Sequence, residues 1–316
     1  MTAGTSRASV SGTAAKEATD TDTSPATGTG TSTDPDPATG TGTDPATGAA
    51  PLLAVAGLRK TYALPGKGHL TAADDITFTV PAGGSLGIVG ESGSGKTTVA
   101  RMLVGLVRPD AGTVTVAGRP RDRRTPRGRA ARLARAREIQ MVFQDPYISL
   151  DPRLTARQCL TTAVRLHGRE EALVDGLLDQ VGLGAREAGA RPHGLSGGQR
   201  QRLAIARALA VGPKVLVLDE AVAALDVSIQ AQILQLLGEI RRDTGVALVF
   251  VSHDLAVVQH ITDEVVVMRR GTTVEQGPTA AVLADPADPY TRLLLASVPR
   301  AGWDPADAVR ARAATV

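Results

Sequence analysis

The stretch "SLGIVGESGSGKTTVARMLVGL", residues 85–106, leaves this chain little choice of fold. "SLGIV" has no alternating polar position, as expected of a strand buried on both faces of a parallel sheet. A glycine-rich turn follows, and then a helical pattern from about Lys96. Gly90, Gly95, Lys96 and Thr97 satisfy G-x-x-x-x-G-K-[ST] in the strand–loop–helix context that gives the pattern meaning. Glycines let backbone N–H groups wrap phosphate oxygens, and Glu91, Ser92, Gly93, Ser94 and Thr98 complete the cradle. Lys96 supplies a positive charge, and the Thr97 hydroxyl can ligate Mg²⁺.

From Leu53 onward, short β-rich runs alternate with helical patterns. "ITFTV", "TVTVA", "IQMVF", "VLVLDE" and "VALVFVSHD" read as buried parallel strands. Ile229, Ile233, Leu236, Leu237 and Ile240 share one helical face. The alternation predicts an α/β sheet packed with helices. Between about Gln144 and Gly198 the rhythm breaks into two helical patterns without a strand, which reads as a helical insertion at about 145–198.

Polar groups gather at the predicted strand ends. "VLVLDE" ends in Asp219 and Glu220. Beside a phosphate loop, Asp219 is a Mg²⁺ anchor and Glu220 is free to take a proton from water. His253 ends the next strand and can reach a γ-phosphate. Gln144 follows "IQMVF", and its amide can both ligate a metal and orient water. Tyr62 offers a ring for stacking on adenine or for core packing. In "LSGGQRQR", Ser196 is placed to cap a helix while Gly197 and Gly198 leave N–H groups uncovered, a second anion-attracting element.

Taken in order, "GESGSGKTT", "MVFQDP", "LSGGQRQR", "VLVLDE", "AALD" and "VSHD" resemble the motif set of ATP-binding cassette (ABC) ATPases over about Leu53 to Pro299. The resemblance implies a P-loop NTPase (RecA-like) core with an antiparallel β subdomain and an inserted α-helical subdomain, spanning 51–299. It also implies ATP and Mg²⁺ as ligands. Tyr62 then corresponds to the A-loop aromatic, Gln144 to the Q-loop glutamine, Ser196–Gln199 to the signature, Asp226 to the D-loop aspartate and His253 to the switch histidine. In this family the signature closes over the nucleotide of a second ATPase subunit, identical or paralogous. "QDPYISLDPR", "LDVSIQAQILQLL" and "DPADPYTRLLLASVP" resemble ATPases of oligopeptide, dipeptide and nickel importers. Those imply membrane permease partners and, indirectly, an extracytoplasmic solute-binding protein, with the chain peripheral on the cytoplasmic face of the membrane. Ala221 and Ala224 stand where the family often has Pro and Ser, and there is no cysteine-rich extension. A soluble single-cassette ATPase of a nucleic-acid or phosphonate-type multi-enzyme complex is the alternative.

Composition bears on the partners. The start "MTAGTSRASV" is polar and no long apolar run follows, so the expectation is a chain neither secreted nor membrane-spanning. The single cysteine, Cys159, excludes an internal disulfide, suits a reducing compartment and reads as a small buried side chain. The first fifty residues, rich in Thr, Gly, Pro and Ala, read as a disordered tail, and 300–316 as a short C-terminal tail. That first segment has two basic and six acidic residues, a net of −4, so residues 51–316 carry +7 against the whole chain's +3. Nine arginines and two acids lie between Arg119 and Glu138. Without interleaved aromatics the segment reads as a solvated helical face rather than a nucleic-acid site. Deleting residues 1–50 is expected to leave the ATPase rate and melting temperature unchanged; a drop of several degrees by calorimetry would show that the tail packs on the domain.

Overall fold

The computed structural model describes residues 50–66, 68–122 and 126–297. The tails expected at 1–50 and 300–316 lie outside them, apart from Ala50.

Strands β1 (Leu53–Leu64) and β2 (Gly68–Val80) form an antiparallel pair, followed by β3 (Ser85–Val89) and helix α1 (Lys96–Val104). Next come β4 (Ala111–Val116), the two-residue β5 (Arg119–Pro120), α2 (Arg129–Ala136) and β6 (Ile139–Val142). Between β6 and the next strand the α-helices among the described residues are α3 (Ala156–Leu166), α4 (Leu173–Gln180), α5 (Ala185–Gly189) and α6 (Gly197–Leu209), with no strand. Three helices therefore precede α6 where the sequence pattern showed two. The chain continues through β7 (Val215–Asp219), α7 (Val227–Thr244), β8 (Ala247–Ser252), α8 (Leu255–Ile261) and β9 (Glu264–Arg269). It closes with β10 (Thr272–Pro278), α9 (Thr279–Ala284) and α10 (Pro289–Ala296).

Two sheets result. The larger has the order β10-β9-β3-β8-β7-β6, parallel except for β10 at its edge. Its strands feed two cores alternately: Leu216 and Leu218 of β7 and Leu248 and Phe250 of β8 point to one, Val215, Val217, Val249 and Val251 to the other. That two-sided burial is what made these runs read as continuous apolar segments. The first core is completed by α3, α6, α7 and α8, the second by α1 and the smaller sheet.

The smaller sheet, β2-β1-β4-β5, corrects the reading of "ITFTV" and "TVTVA" as parallel strands. In the first, Ile76, Phe78 and Val80 are buried while Thr77 and Thr79 are exposed, the period-two pattern of an antiparallel sheet with one wet face. Cys159 is buried on α3, and burial pushes its thiol pKa up.

The arginine segment also divides. Helix α2 buries no residue, so the solvated face holds there. Arg121 is instead buried: it pairs with Glu138 at 3.0 Å and donates to the Leu103 carbonyl, and burial lowers its pKa to about 10. Arg137 donates to the His167 carbonyl, tying the strand layer to the end of α3. Arg121→Ala is expected to cost about 1–3 kcal/mol of stability in urea unfolding, because a buried carbonyl and a half-buried carboxylate lose their donor. Arg129→Ala and Arg132→Ala on α2 should each stay within about 0.5 kcal/mol.

Candidate functional site

Strands β3, β8 and β7 are neighbours, and their carboxyl ends are in register: Val89 pairs with Ser252, and Val251 with Asp219. Gly90, His253 and Glu220, the next residues out, therefore leave the sheet along one edge. Open α/β sheets bind ligands in that crevice.

The loop after β3 presents donors without acceptors. Gly95 is the N-cap of α1 and offers no side-chain cap, and no acid occupies the first turn. The first bond of the helix runs from the Val99 N–H to the Gly95 carbonyl at 3.0 Å, so the N–H groups of Lys96, Thr97 and Thr98 have no partner within the helix. Ser94 Oγ is buried without a hydrogen bond. Lys96 is 4% exposed, and its ammonium donates to the carbonyls of Gly90 (2.7 Å) and Glu91 (2.8 Å). Burial lowers its pKa, against the pull of Glu220, Asp219 and Glu91. An anion with several oxygens satisfies all of these groups at once.

The glycines are sterically required. A Cβ on Gly90 would lie 2.1 Å from the Met268 carbonyl oxygen, and one on Gly95 2.0 Å from that of Ala72. Gly93 has φ +83 but open space around it.

Opposite the loop, Thr97 Oγ1 donates to Asp219 Oδ1 at 3.1 Å. Asp219 is 6% exposed; burial raises its pKa, the Thr97 hydrogen bond opposes this, and the charge of Glu220 adds to it. Among the described residues no three His, Cys, Asp or Glu side chains gather as a metal site. A hydroxyl and one buried carboxylate side by side suit a small hard cation that takes its other ligands from phosphate and water. Glu220 sits at φ +49, a left-handed conformation for a residue with a Cβ, and its N–H is held by the Val251 carbonyl at 3.0 Å. Such strain clusters at functional positions. His253 Nδ1 lies 3.4 Å from Glu220 Oε1, with the imidazole 56% exposed. A neutral ring has one N–H, so donation to Glu220 leaves Nε2 an acceptor. His253 can donate to a phosphate only after releasing Glu220, or as imidazolium.

Other sequence candidates lie apart from this cluster or carry a second duty. Gln144 is exposed beyond β6 and, with Tyr147, Gly197 and Arg200, lines a separate cavity of about 340 Å³. Ser196 and Gln199 form a reciprocal capping box at the start of α6. Gly198 packs so tightly that a Cβ there would lie 2.5 Å from Cγ2 of Ile229, whereas at Gly197 the nearest atom would be at 3.6 Å. Asp226 caps α7, accepting from the Ile229 N–H at 3.0 Å and from Ser228 Oγ at 2.7 Å. Tyr62 is half-buried on β1, outside the core, with the Lys60 ammonium 5.4 Å from its ring centre. It pairs with Leu70, two residues along β2 from the Ala72 carbonyl that abuts Gly95. Sequence reasoning missed Tyr290, whose hydroxyl accepts the Glu91 N–H at 2.9 Å across 199 positions. A tyrosine within a longer motif carried no local signal for that contact.

Comparison with known proteins follows the same outline. Residues 73–223 match the family described as ABC transporter, and residues 274–314 match the oligopeptide/dipeptide transporter C-terminal region. The chain is 48% identical over 259 residues to a probable peptide ABC transporter ATP-binding protein, y4tS, of Sinorhizobium fredii, covering 78% of this chain and 72% of that one. It is 48% identical over 233 residues to the glutathione import ATP-binding protein GsiA of Escherichia coli K12, covering 72% of this chain but only 37% of that protein. Among solved structures, cbiO1 of Clostridium perfringens, part of the ABC transporter complex cbiONQ, superposes with a TM-score of 0.65 at 29% identity, covering 74% of this chain and 91% of that one. The cassette MJ0796, solved as a dimer in a post-hydrolysis state with ADP and Pi, gives 0.63 at 27% identity over 72% and 98% of the two chains.

Gly95→Ala, which combines a left-handed φ with a collision against backbone, is expected to weaken nucleotide binding about 10- to 100-fold in a fluorescent-nucleotide titration. Gly93→Ala, strained but unobstructed, should lose less than about tenfold.

Proposed function

Because this chain belongs to the family of ABC transporter ATP-binding proteins, we propose that it is the ATP-hydrolysing subunit of an importer for peptides or a related solute. The observation that carries hydrolysis is the meeting of the N–H cradle, Lys96, the Thr97–Asp219 pair, Glu220 and His253 along the ends of three neighbouring strands. The importer reading rests on the oligopeptide/dipeptide C-terminal match at 274–314 and on the peptide-type relative.

The loop N–H groups and Lys96 bind the phosphates, with the Lys96 ammonium keeping the Gly90 carbonyl and turning its other N–H donors, including the one on the Glu91 carbonyl, to phosphate oxygens. Thr97 and Asp219 would hold Mg²⁺, with Gln144 reaching it as the subdomains close; when bound, the ion neutralises charge on the β- and γ-phosphate oxygens. Water attacks the γ-phosphorus, the bond to the β–γ bridging oxygen breaks, ADP leaves, and the water's proton passes to the Glu220 carboxylate. His253 orients Glu220 and, on releasing it, donates to the departing phosphate. Tyr62 stacks on the adenine.

Ser196–Gln199 and Asp226 are left to act on a second subunit. Their side chains are engaged in capping their own helices, while the uncapped N–H groups at the start of α6 remain available to a partner's γ-phosphate. Permease contact falls on the helical region. Tyr147, Ile148, Leu166 and Leu173 are exposed there. A cavity of about 250 Å³ beside α3 is lined by Ser149, Asp151, Thr162, His167 and Arg207. Arg207 Nε and His167 Nδ1, both buried, have no hydrogen-bond partner among the described residues. No helix among the described residues is long and apolar enough to cross a membrane, and docking on a permease would place the chain on the cytoplasmic face.

Glu220→Gln is expected to retain ATP binding and cut turnover by roughly 10²–10⁴; near wild-type hydrolysis removes Glu220 from the base role. For composite sites, Lys96→Ala and Gly197→Asp should each be nearly inactive alone. Gly197 is the better position than Gly198, where a side chain would also disturb packing on Ile229. Mixed homodimers concentrate both defects in one site and leave the other intact, so mixing should restore hydrolysis. No recovery in mixtures shown by tagging to contain mixed dimers counts against sharing between subunits.

A further inference from the structure

Of the C-terminal region matched over 274–314, the described residues, 274–297, reach the phosphate loop through α10. Glu275 on β10 accepts the N–H groups of Ala287 (2.8 Å) and Asp288 (3.2 Å), fixing the approach to α10. Asp288 caps that helix, accepting the Tyr290 N–H at 2.7 Å, and Pro289 opens its first turn. The guanidinium of Arg292 closes the turn by donating to the carbonyls of Pro286 (3.1 Å) and Ala287 (2.7 Å). The Tyr290 backbone is thus immobilised by neighbours on both sides. Its ring is 1% exposed and lies 4.9 Å from the Arg269 guanidinium.

From there the phenolic oxygen takes the Glu91 N–H at 2.9 Å. That N–H belongs to the same peptide plane as the Gly90 carbonyl, which accepts the Lys96 ammonium at 2.7 Å. In a trans peptide the two groups point in opposite directions, so fixing one fixes the other. Gly90, at φ +148 and without a Cβ, offers little resistance of its own to rotation of that plane. Burial also raises the Tyr290 pKa, so the hydroxyl stays neutral at physiological pH.

We propose that Tyr290 is a positioning residue for the nucleotide: its hydroxyl locks the Gly90–Glu91 peptide, which aims the Gly90 carbonyl at Lys96 and keeps the lysine at the mouth of the cradle. The C-terminal region thereby becomes part of the ATP site of its own chain. The inference rests on reading the loop as a nucleotide site.

Tyr290→Phe tests it, since the ring, its packing and the Arg269 contact are kept and only the oxygen is lost. Titration of the full chain with a fluorescent ATP analogue and Mg²⁺ should show Kd, and steady-state assays KM, rising roughly 3- to 10-fold, the net worth of one hydrogen bond. The kcat at saturating ATP should stay within about twofold, because no group at the reacting atoms changes. Hydrogen exchange of the nucleotide-free protein should quicken in the peptide spanning 90–96 and not in β7 or β8. A purely structural role would instead lower the melting temperature and leave Kd alone. Unchanged Kd, or unchanged exchange in 90–96, overturns the proposal. A wild-type chain that binds no nucleotide overturns the nucleotide reading and this inference with it; a wild type that binds beside a variant that binds equally well overturns this inference only.

Discussion

The arrangement depends on how closely the phosphate loop lies against backbone on two sides. Gly90 fits against the Met268 carbonyl of β9 in the larger sheet, and Gly95 against the Ala72 carbonyl of β2 in the smaller one. The turn after β9 adds to the clamp: the Gly271 N–H donates to the Ser94 carbonyl at 3.0 Å, and the Gly271 carbonyl accepts the Asp74 N–H at 2.7 Å. Two sheets and a helix therefore meet at a loop with no room for a single extra carbon at either glycine. A loop held so closely cannot collapse onto its own N–H groups, and those donors remain directed outward from the start of α1.

Around that fixed loop the charges are held short of neutralising one another. The Lys96 ammonium is bonded to carbonyls rather than to a carboxylate, and Asp219 is satisfied by a hydroxyl rather than a cation. Burial works against the charged form of each. Glu220 is kept at the edge of this cluster by a strained backbone and a long contact to an exposed histidine. A phosphate chain bound with a cation would relieve both buried charges together.

The signature segment shows how one residue type can serve two demands. Gly198 is needed for the contact of α6 with Ile229 of α7 whatever it does for a partner's nucleotide. Asp226 likewise caps α7 through the Ile229 and Ser228 groups. Asp226 and Gly198 therefore both close on the first turn of α7 around Ile229.

The sequence by itself determined the elements whose signal is local. Continuous apolar runs marked β3, β7 and β8 because both faces of each are buried, and the glycine spacing marked the phosphate loop because so few conformations suit it. Asp219, Glu220 and His253 stood out because polar residues at the last position of a buried strand, or just after it, lie at the edge of the sheet. Only the tertiary structure decided which strands pair. "ITFTV" and "TVTVA" went to an antiparallel sheet, a choice carried by partners far along the chain, although the buried Ile76, Phe78 and Val80 alternating with exposed threonines already hinted at a single dry face. Arg121 was indistinguishable in sequence from the solvated arginines around it until the fold placed Glu138 and the Leu103 carbonyl beside it. The Tyr290 hydroxyl and the Glu91 N–H, 199 positions apart, meet only because β9 pairs with β3 and brings the last helix beneath the loop, and no periodicity in a chain encodes a contact between two single groups at that separation.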